Sequence, residues 1–530
     1  MKKGTFIIAI AGVLFSGCAK NFQSINTNPE ALTSANMNYN YLFTEAQLIT
    51  SGNSDANGYE DERNSIGYAA CMIQHLSSTN SAYPGDKYLY NASDNSAYWE
   101  QDYKVPVNNI QEVIYHIKGD STQTNFYNIA RIFRVFIFQR MTDMYGDCPY
   151  SQAGLGYIEG ITSPKYDSQQ SIYMDMLNEL KEAAANLDPN AANTIGAADE
   201  LYGGDITEWQ KFAYSEMLRL AMRIVKVDPT DAQTWAQAAI AGGVMSQLSD
   251  NAAFSHNNYT ENNPTPNGNA WVLTGEDPNL SRVSQTFINY LDATNDPRLS
   301  WVASVTSDPS NSDSIGNSDP SVQLGQPNGY DNNGGAYDIS TAPGYPGSQN
   351  GYSIVNRATF ARLDAPTYFL TYAETALLEA EAAYRGWISG DPATFYQAGV
   401  TAAMQQMGQM VSLEGTAQIP TPNPIDDGTI ATYLAANPYN ASDALNQINT
   451  QYWVATFMDE YEAWFNWKRS GYPALTPVAN YPGNATGGTI PRRWTYSTTE
   501  VSTNNANYKA AVANLPGGDK MTSRTWWDSK

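Results

Sequence analysis

The segment Ala376–Gly386, ALLEAEAAYRG, carries the clearest fold signal in this sequence. Its residues Leu377, Ala380 and Tyr384 place apolar side chains at helical spacing, and Gly386 ends the pattern. The alanine side chains are small, so that a neighbouring helix can approach this helix closely. Tetratricopeptide hairpins pack in this way, and the segment therefore predicts one helix of a packed helix pair.

Working outward from this segment, two further stretches show the same periodicity. Apolar stripes occupy Phe126–Met144 and Trp453–Trp464, and they stop at Gly146 and Gly471. No alternating strand pattern extends beyond a few residues, and no clean repeat of about 34 residues is visible. We predict an all-α, mostly helical fold built on a tetratricopeptide-like scaffold of helix hairpins with long irregular loops.

Three polar stretches interrupt the helical pattern, at residues 79–98, 255–278 and 306–357. Each combines tyrosine or tryptophan with asparagine, accompanied by serine and aspartate in 79–98, by proline in 255–278 and by glycine in 306–357. Loops of this length are uncommon in a compact domain and often serve function. Aromatic planes beside amide groups suit sugar rings and peptide-like ligands. These stretches predict a loop-rich ligand face.

The composition excludes several functional classes. The 530 residues include 53 Asp and Glu against 29 Lys and Arg, which gives a formal net charge of −24. Nucleic-acid binding is not expected, because phosphate contacts need clustered basic residues. Three histidines and three cysteines leave little material for a zinc site or a disulfide framework. Cys71 and Cys148 are either a disulfide pair or two buried thiols.

The N-terminus predicts the compartment. Lys2 and Lys3 precede the apolar run Phe6–Phe15, which is too short to span a bilayer, and small residues then lead to Cys18. This pattern is typical of a bacterial lipoprotein signal peptide at residues 1–17, with Cys18 as the lipidation site. A multi-chain lipid anchor would attach the chain to a membrane while the rest stays outside the bilayer.

No catalytic signature is present. The sequence lacks a histidine metal motif, a P-loop, a dinucleotide fingerprint and a G-x-S-x-G elbow. Glu379 with Glu381, and Glu460 with Glu462, are the nearest carboxylate pairs, but residues two apart on a helix diverge by about 200°. Calcium stays open as an alternative, with oxygen ligands from turns at 308–319 and 331–338. We predict no metal site otherwise, and no catalytic residue.

A set of short blocks runs along nearly the whole chain in a fixed order. The blocks are Asn26–Pro29, Thr142–Gln152, Asp296–Leu299, Tyr372–Glu374, Ala380–Ala382, Glu462–Trp464, Lys468–Pro473, Ile490–Arg493 and Trp526–Asp528. Together they resemble the SusD/RagB family of nutrient-binding outer-membrane lipoproteins of Bacteroidetes, in its SusD-like branch. The resemblance implies that residues 18–530 form a single SusD-like domain.

The resemblance also implies a function. Members of this family are not enzymes; they capture oligosaccharides, or in some cases peptides, and deliver them to a SusC-like TonB-dependent transporter. It implies a location at the cell outer membrane, lipid-anchored and surface-exposed. The family blocks build helices and turns, so the resemblance assigns no ligand contact to any of them.

The composition of the loops predicts which residues contact the ligand. The candidate ligand-binding residues are Tyr83, Tyr88, Tyr90, Asn91, Trp271, Asn328, Tyr330 and Tyr345. Their rings would stack on the apolar patches of a polar oligomer, and the amides would bind its hydroxyl or amide groups. Two alternatives stay open: an envelope scaffold lipoprotein of helical repeats without a small ligand, and a surface glycosidase.

Overall fold

α-Helices are the main elements of the chain. The computed structural model describes residues 37–52, 61–257, 265–410 and 422–528. The chain divides into two units, Met1–Tyr39 and Asn40–Lys530, and the elements described here belong to the second unit, except for Tyr39 at the start of the first helix. The predicted signal peptide and its lipidation site Cys18 lie outside the described residues.

The longer helices are, in chain order, α1 (Tyr39–Thr50), α2 (Ala92–Lys104), α3 (Pro106–Ile117), α4 (Thr124–Tyr145), α5 (Gln169–Ala185), α6 (Ile206–Arg223), α7 (Pro229–Gly242), α8 (Gln285–Ala293), α9 (Tyr372–Tyr384), α10 (Pro392–Gln405), α11 (Asp427–Ala436), α12 (Ala444–Ala455), α13 (Glu460–Ser470) and α14 (Asn505–Asn514). Four-residue helices lie at Gly156–Glu159, Gly268–Trp271, Leu299–Val302 and Glu500–Thr503, and π-helical turns at Asp61–Ala70 and Val272–Glu276. Among the described residues, no helix has both the length and the apolar character needed to cross a membrane.

Successive helices pack as hairpins. α6 packs on α7, and α9 packs on α10. The α9–α10 contact depends on small residues, because a Cβ added to Gly399 in α10 would come within 2.7 Å of Leu377 Cγ. Thr371 caps α9, where its side chain and that of Glu374 form a capping box. The predicted all-α hairpin fold is confirmed.

Strands are few and short. In the described parts of the chain, eight strands form four antiparallel pairs: β1 (Leu76–Ser77) with β5 (Arg282–Val283), β2 (Cys148–Pro149) with β3 (Tyr166–Asp167), β4 (Ala252–Phe254) with β8 (Thr367–Leu370), and β6 (Ala303–Ser304) with β7 (Ile354–Val355). The β1–β5 pair aligns Leu76 with Val283. These pairs tie loop segments that are distant in sequence to the helical part.

An ionic network lies in the core between α4, α6, α9 and α13. Arg219 Nη2 of α6 donates to Glu374 Oε2 of α9 at 2.8 Å, and Arg223 Nη2 donates to Glu462 Oε2 of α13 at 2.6 Å. Arg223 also pairs with Asp143 of α4 at 3.2 Å. Buried charges are tolerated only when paired, so this network fixes the relative position of the four helices.

The cysteines do not pair. Cys71 and Cys148 are both buried free thiols, and Cys71 Sγ donates to the Ile66 carbonyl at 3.4 Å. Burial is the largest effect on both groups and raises the pKa of each thiol. The disulfide alternative is therefore wrong, and the buried-thiol interpretation is confirmed.

Candidate ligand-binding site

Two of the three predicted loop segments, 79–98 and 306–357, meet at one buried carboxylate, Asp86. Its Oδ1 accepts from Asn328 Nδ2 at 2.6 Å, and its Oδ2 accepts from the Gly329 backbone N–H at 2.7 Å. Asn328 in turn accepts from the Ser284 hydroxyl at 2.6 Å and donates to the Leu76 carbonyl at 2.9 Å. Both ends of the Asn328 amide are used inside the protein, so its role is to join segments 79–91 and 326–331.

Two predicted stacking tyrosines are buried. Tyr83 and Tyr88 are each 1% exposed. The Tyr83 hydroxyl donates to Asp277 Oδ2 at 2.7 Å, and the Tyr88 hydroxyl accepts from the Val478 backbone N–H at 3.2 Å. Neither ring offers a face to a ligand, which corrects the prediction for both residues. They hold the loop 79–91 to segments 271–277 and 478–484 instead.

Of the next two candidates, Asn91 caps a helix and Tyr90 is exposed. Asn91 is the N-cap of α2, where its Oδ1 accepts from the backbone N–H groups of Ser93 at 3.0 Å and Asp94 at 3.3 Å. Its side-chain oxygen therefore serves the helix, and the irregular segment ends here, since residues 92–98 belong to α2. The ring of Tyr90 is 51% exposed.

Trp271 ends the short helix Gly268–Trp271 and is 39% exposed. A Cβ added to Gly275 would lie 3.7 Å from the indole Cδ2, so the indole packs against this glycine. The remaining surface of the indole is accessible to a ligand. Within the predicted segment 255–278, residues 258–264 lie outside the described part of the chain.

Tyr330 and Tyr345 pack together with Tyr352 in the third predicted segment, and we call these three residues the tyrosine cluster. Tyr330 and Tyr345 are half-buried against the apolar base of Ile339, Ala342 and Tyr352. The rings of Tyr345 and Tyr352 lie 6.3 Å apart. The cluster therefore presents two partly exposed rings on a buried third.

The Tyr352 hydroxyl is buried and forms no hydrogen bond to any residue that the structure describes. Burial, followed by the proximity of Tyr345 and Tyr330, raises the pKa of Tyr352 to about 12. A buried hydroxyl without a partner costs about 1–3 kcal/mol. The cluster thus holds an unused hydrogen-bonding group beside two rings on which a ligand can stack.

A second ring pair was missed by sequence reasoning. Tyr337 and Tyr481 lie 5.2 Å apart with an interplanar angle of 65°, and Tyr481 donates to Asp331 Oδ2 at 2.7 Å. The Tyr337 hydroxyl donates to the Asn480 carbonyl. The segment 471–490 is rich in glycine, proline and asparagine and contains tyrosine, and that composition was the available signal.

The carboxylates considered for calcium are used as turn caps. Asp338 accepts from the backbone N–H groups of Ser340 at 2.9 Å and Gly334 at 2.8 Å, and Asp319 accepts from Ser321 at 2.9 Å. Within the described residues, no group of three or more His, Cys, Asp or Glu side chains is arranged to hold a metal ion. These turns follow the usual behaviour of aspartate at a turn or 3₁₀ start.

The carboxylate pairs on helices face structural partners. Glu381 accepts from Arg469 Nη1 and Nη2, each at 2.8 Å. His75 Nδ1 lies 2.7 Å from Glu460 Oε2, and Glu462 belongs to the core network. Glu381, Glu460 and Glu462 are each bound by a side chain of the buried helical part.

Comparison with known proteins gives a consistent assignment. A family model described as SusD-like, starch-binding and associating with the outer membrane matches residues 31–497. A solved chitin-binding protein is 31% identical with a TM-score of 0.79, over 93% of this chain and 100% of that one. A Bacteroidetes SusD-like protein, AC2a, is 29% identical with a TM-score of 0.79 over the same shares.

A chitin-binding SusD homologue from Flavobacterium johnsoniae is 24% identical with a TM-score of 0.74, over 93% of this chain and 99% of that one, and supports the fold. None of the curated proteins compared matches this chain.

Proposed function

This chain belongs to the SusD-like family of starch-binding proteins associated with the outer membrane, and on that premise we propose that it captures oligosaccharides and delivers them to a SusC-like TonB-dependent transporter. It does so as a binding protein without catalysis. It is anchored at the outer membrane through Cys18 and faces the cell exterior. Peptides are the alternative cargo.

The tyrosine cluster is the observation that carries this proposal. Tyr330 and Tyr345 offer partly exposed rings, and Tyr352 leaves a hydroxyl to be paired. Sugar rings have apolar faces and a rim of hydroxyls, which match stacking and hydrogen bonding respectively. An aromatic contact contributes on the order of 1 kcal/mol beyond area burial, so two or three rings give weak, reversible binding. Weak binding suits a protein that must release its cargo.

The relatives suggest which glycans to try. The 31%-identical relative is described as chitin-binding, and the family as starch-binding. Both ligands are uncharged polymers, and a protein with a net charge of −24 disfavours anionic polysaccharides by repulsion. We therefore propose a neutral glycan, and chito-oligosaccharides are the first probe.

The proposal is tested by affinity electrophoresis in gels containing glycol chitin or starch, and by titration calorimetry with the matching oligosaccharides. Trp271→Ala and Tyr330→Ala should each weaken binding about fivefold, because each removes one stacking ring. Tyr157→Ala is the matched control, since Tyr157 is 88% exposed in the separate helix Gly156–Glu159. Equal retention of all three variants and the parent would contradict a site at these rings.

The scaffold alternative predicts a different outcome. In a pull-down experiment, a helical-repeat scaffold would co-purify with a large barrel protein, and it would bind none of the glycans or peptides. The carrier proposed here should bring down the barrel and also bind a glycan, so the two measurements together separate the alternatives. Polysaccharide turnover by the purified protein would contradict the non-catalytic assignment.

A further inference from the structure

A small pocket lined by cations lies where α6, α9 and α13 end and α12 begins. Its volume is about 120 Å³. The polar groups that line it include Lys226, Glu381, Arg385, Asn449 and Arg469. We call it the Lys226 pocket. In a chain with a net charge of −24, three cations facing one carboxylate is an unusual local balance.

The deep side of the pocket is rigid. Arg469 is 2% exposed; it binds both oxygens of Glu381 and also donates to Asn449 Oδ1 at 2.7 Å. Glu381 accepts from Arg385 Nε at 3.0 Å as well. Both oxygens of the only lining carboxylate are therefore occupied by guanidinium groups.

The outer side of the pocket has unused donors. Arg385 directs Nε and Nη2 to Glu381, while its Nη1 makes no hydrogen bond to the described residues. Lys226 is exposed and, within the same described part of the chain, has neither an ion pair nor a hydrogen bond through its ammonium group. Two cationic donors thus line the accessible side.

The cationic character extends behind the pocket. Partial burial is the largest effect that lowers the pKa of Lys226; Asp528 opposes it, and Arg492, Arg469 and Arg524 lower it further. Five cations therefore act here against Glu381 and Asp528. Three helix C-termini each add about half a negative charge. The start of α12, where Leu445 lines the pocket, adds about half a positive charge, and the local balance remains positive.

We propose that the Lys226 pocket binds a phosphate group, either as free phosphate or as part of a larger molecule, with Lys226 and Arg385 as its ligands. Arginine and lysine are the common phosphate-binding side chains, and charge-assisted hydrogen bonds to phosphate are about twice as strong as neutral ones. Glu381 acts as the positioning residue, because it orients Arg385 and is itself held by Arg469.

The test is calorimetric titration of the purified protein with inorganic phosphate at constant ionic strength, with chloride as the competing anion. We expect saturable binding to one site. Lys226→Gln should weaken it at least fivefold, whereas Lys226→Arg should restore it. Lys104→Gln, which removes one exposed lysine from the end of α2, should leave it unchanged.

A second arm identifies the source of the phosphate group. Sedimentation with phosphatidylcholine vesicles, with and without phosphatidic acid, reports binding to a lipid phosphate. Lysine-dependent vesicle binding assigns the pocket to lipid, and phosphate binding without vesicle binding assigns it to the free ion. The proposal is overturned if neither probe binds saturably, or if Lys104→Gln weakens binding as much as Lys226→Gln does.

Discussion

The hydroxyl of Tyr352 has opposite effects on the stability of the free protein and on ligand binding. It is buried beside the partly exposed Tyr330 and Tyr345 and forms no hydrogen bond to the described residues. A glycan hydroxyl that reaches it when the ring of Tyr330 or Tyr345 moves would supply the missing partner. Burial without a partner lowers stability in the free protein, so the same hydroxyl that weakens the fold favours the complex.

Tyr352→Phe should therefore raise the free energy of unfolding by about 1 kcal/mol and weaken glycan binding severalfold. Urea denaturation measures the first effect and calorimetry the second. Tyr68→Phe is the control, because the Tyr68 hydroxyl is buried but donates to the Leu89 carbonyl at 2.7 Å. The free energy of unfolding of Tyr68→Phe should fall by about 1 kcal/mol. A destabilised Tyr352→Phe variant would show that the hydroxyl has a partner in the protein.

The sequence could identify the aromatic loops but not the accessible rings within them. Tyr83, Tyr88 and Tyr90 have the same loop context, yet only Tyr90 is exposed. The hydroxyl of Tyr83 is bound by Asp277, 194 residues away in sequence. The hydroxyl of Tyr88 is bound by Val478, which is 390 residues away. Burial set by such distant partners leaves no local pattern, whereas helical periodicity is local, and this is why α9 was predictable.

At the scale of elements, α9 is held from two sides by different forces. Close packing of small residues joins it to α10, and the Glu381–Arg469 ion pair joins it to α13. Glu379, two positions earlier on the same helix, has a different environment. Burial raises the pKa of Glu379 to about 7. Burial would also raise that of Glu381, but Arg469 and Arg385 lower it to about 2.

These two carboxylates should respond to pH in opposite directions. The contribution of Glu381 to stability is present above pH 4.5, its ordinary pKa, and is lost as the pH falls towards 2. Glu379 lowers stability as the pH rises from 4.5 to 7, because the folded state retains its proton. The sign of each effect follows from which state binds the proton more tightly.

Glu381→Gln should destabilise the protein by about 3–5 kcal/mol at pH 7, because it leaves Arg469 buried without its partner. Glu379→Gln, the matched control, should be at least as stable as the parent at pH 8. Thermal unfolding followed by circular dichroism between pH 3 and 8 measures both. Identical pH profiles for the two variants would contradict the assignment of the pKa shifts.

The hairpin contact gives a second prediction at this scale. Gly399→Ala places a methyl group 2.7 Å from Leu377 Cγ and 3.1 Å from the Ala373 carbonyl, so α9 and α10 must separate. Overpacking of this kind costs about 1–3 kcal/mol. Gly156→Ala is the control, since its added methyl group comes no closer than 3.7 Å to any other group. The urea concentration at the midpoint of unfolding should fall for Gly399→Ala and stay unchanged for Gly156→Ala.

At the scale of the whole molecule, attachment and cargo binding are separable. The hairpins are joined by the core ionic network, whereas Tyr90 and the tyrosine cluster lie on two loop segments joined through Asp86. In the function proposed above, anchoring depends on Cys18, which lies outside the described residues. Removing the anchor should therefore change the location of the protein and leave its ligand affinity intact.

Cys18→Ala should lose palmitate labelling and leave the outer-membrane fraction, while glycan binding by the purified protein stays unchanged, since a lipid anchor acts only through the chains attached to that residue. Metabolic labelling with fractionation measures the first effect, and calorimetry measures the second. Ser16→Thr is a useful control, because it alters the predicted signal region but keeps the acceptor thiol. Palmitate label that persists in Cys18→Ala would place the anchor elsewhere. Label lost together with glycan affinity would instead mean that the N-terminal segment takes part in binding.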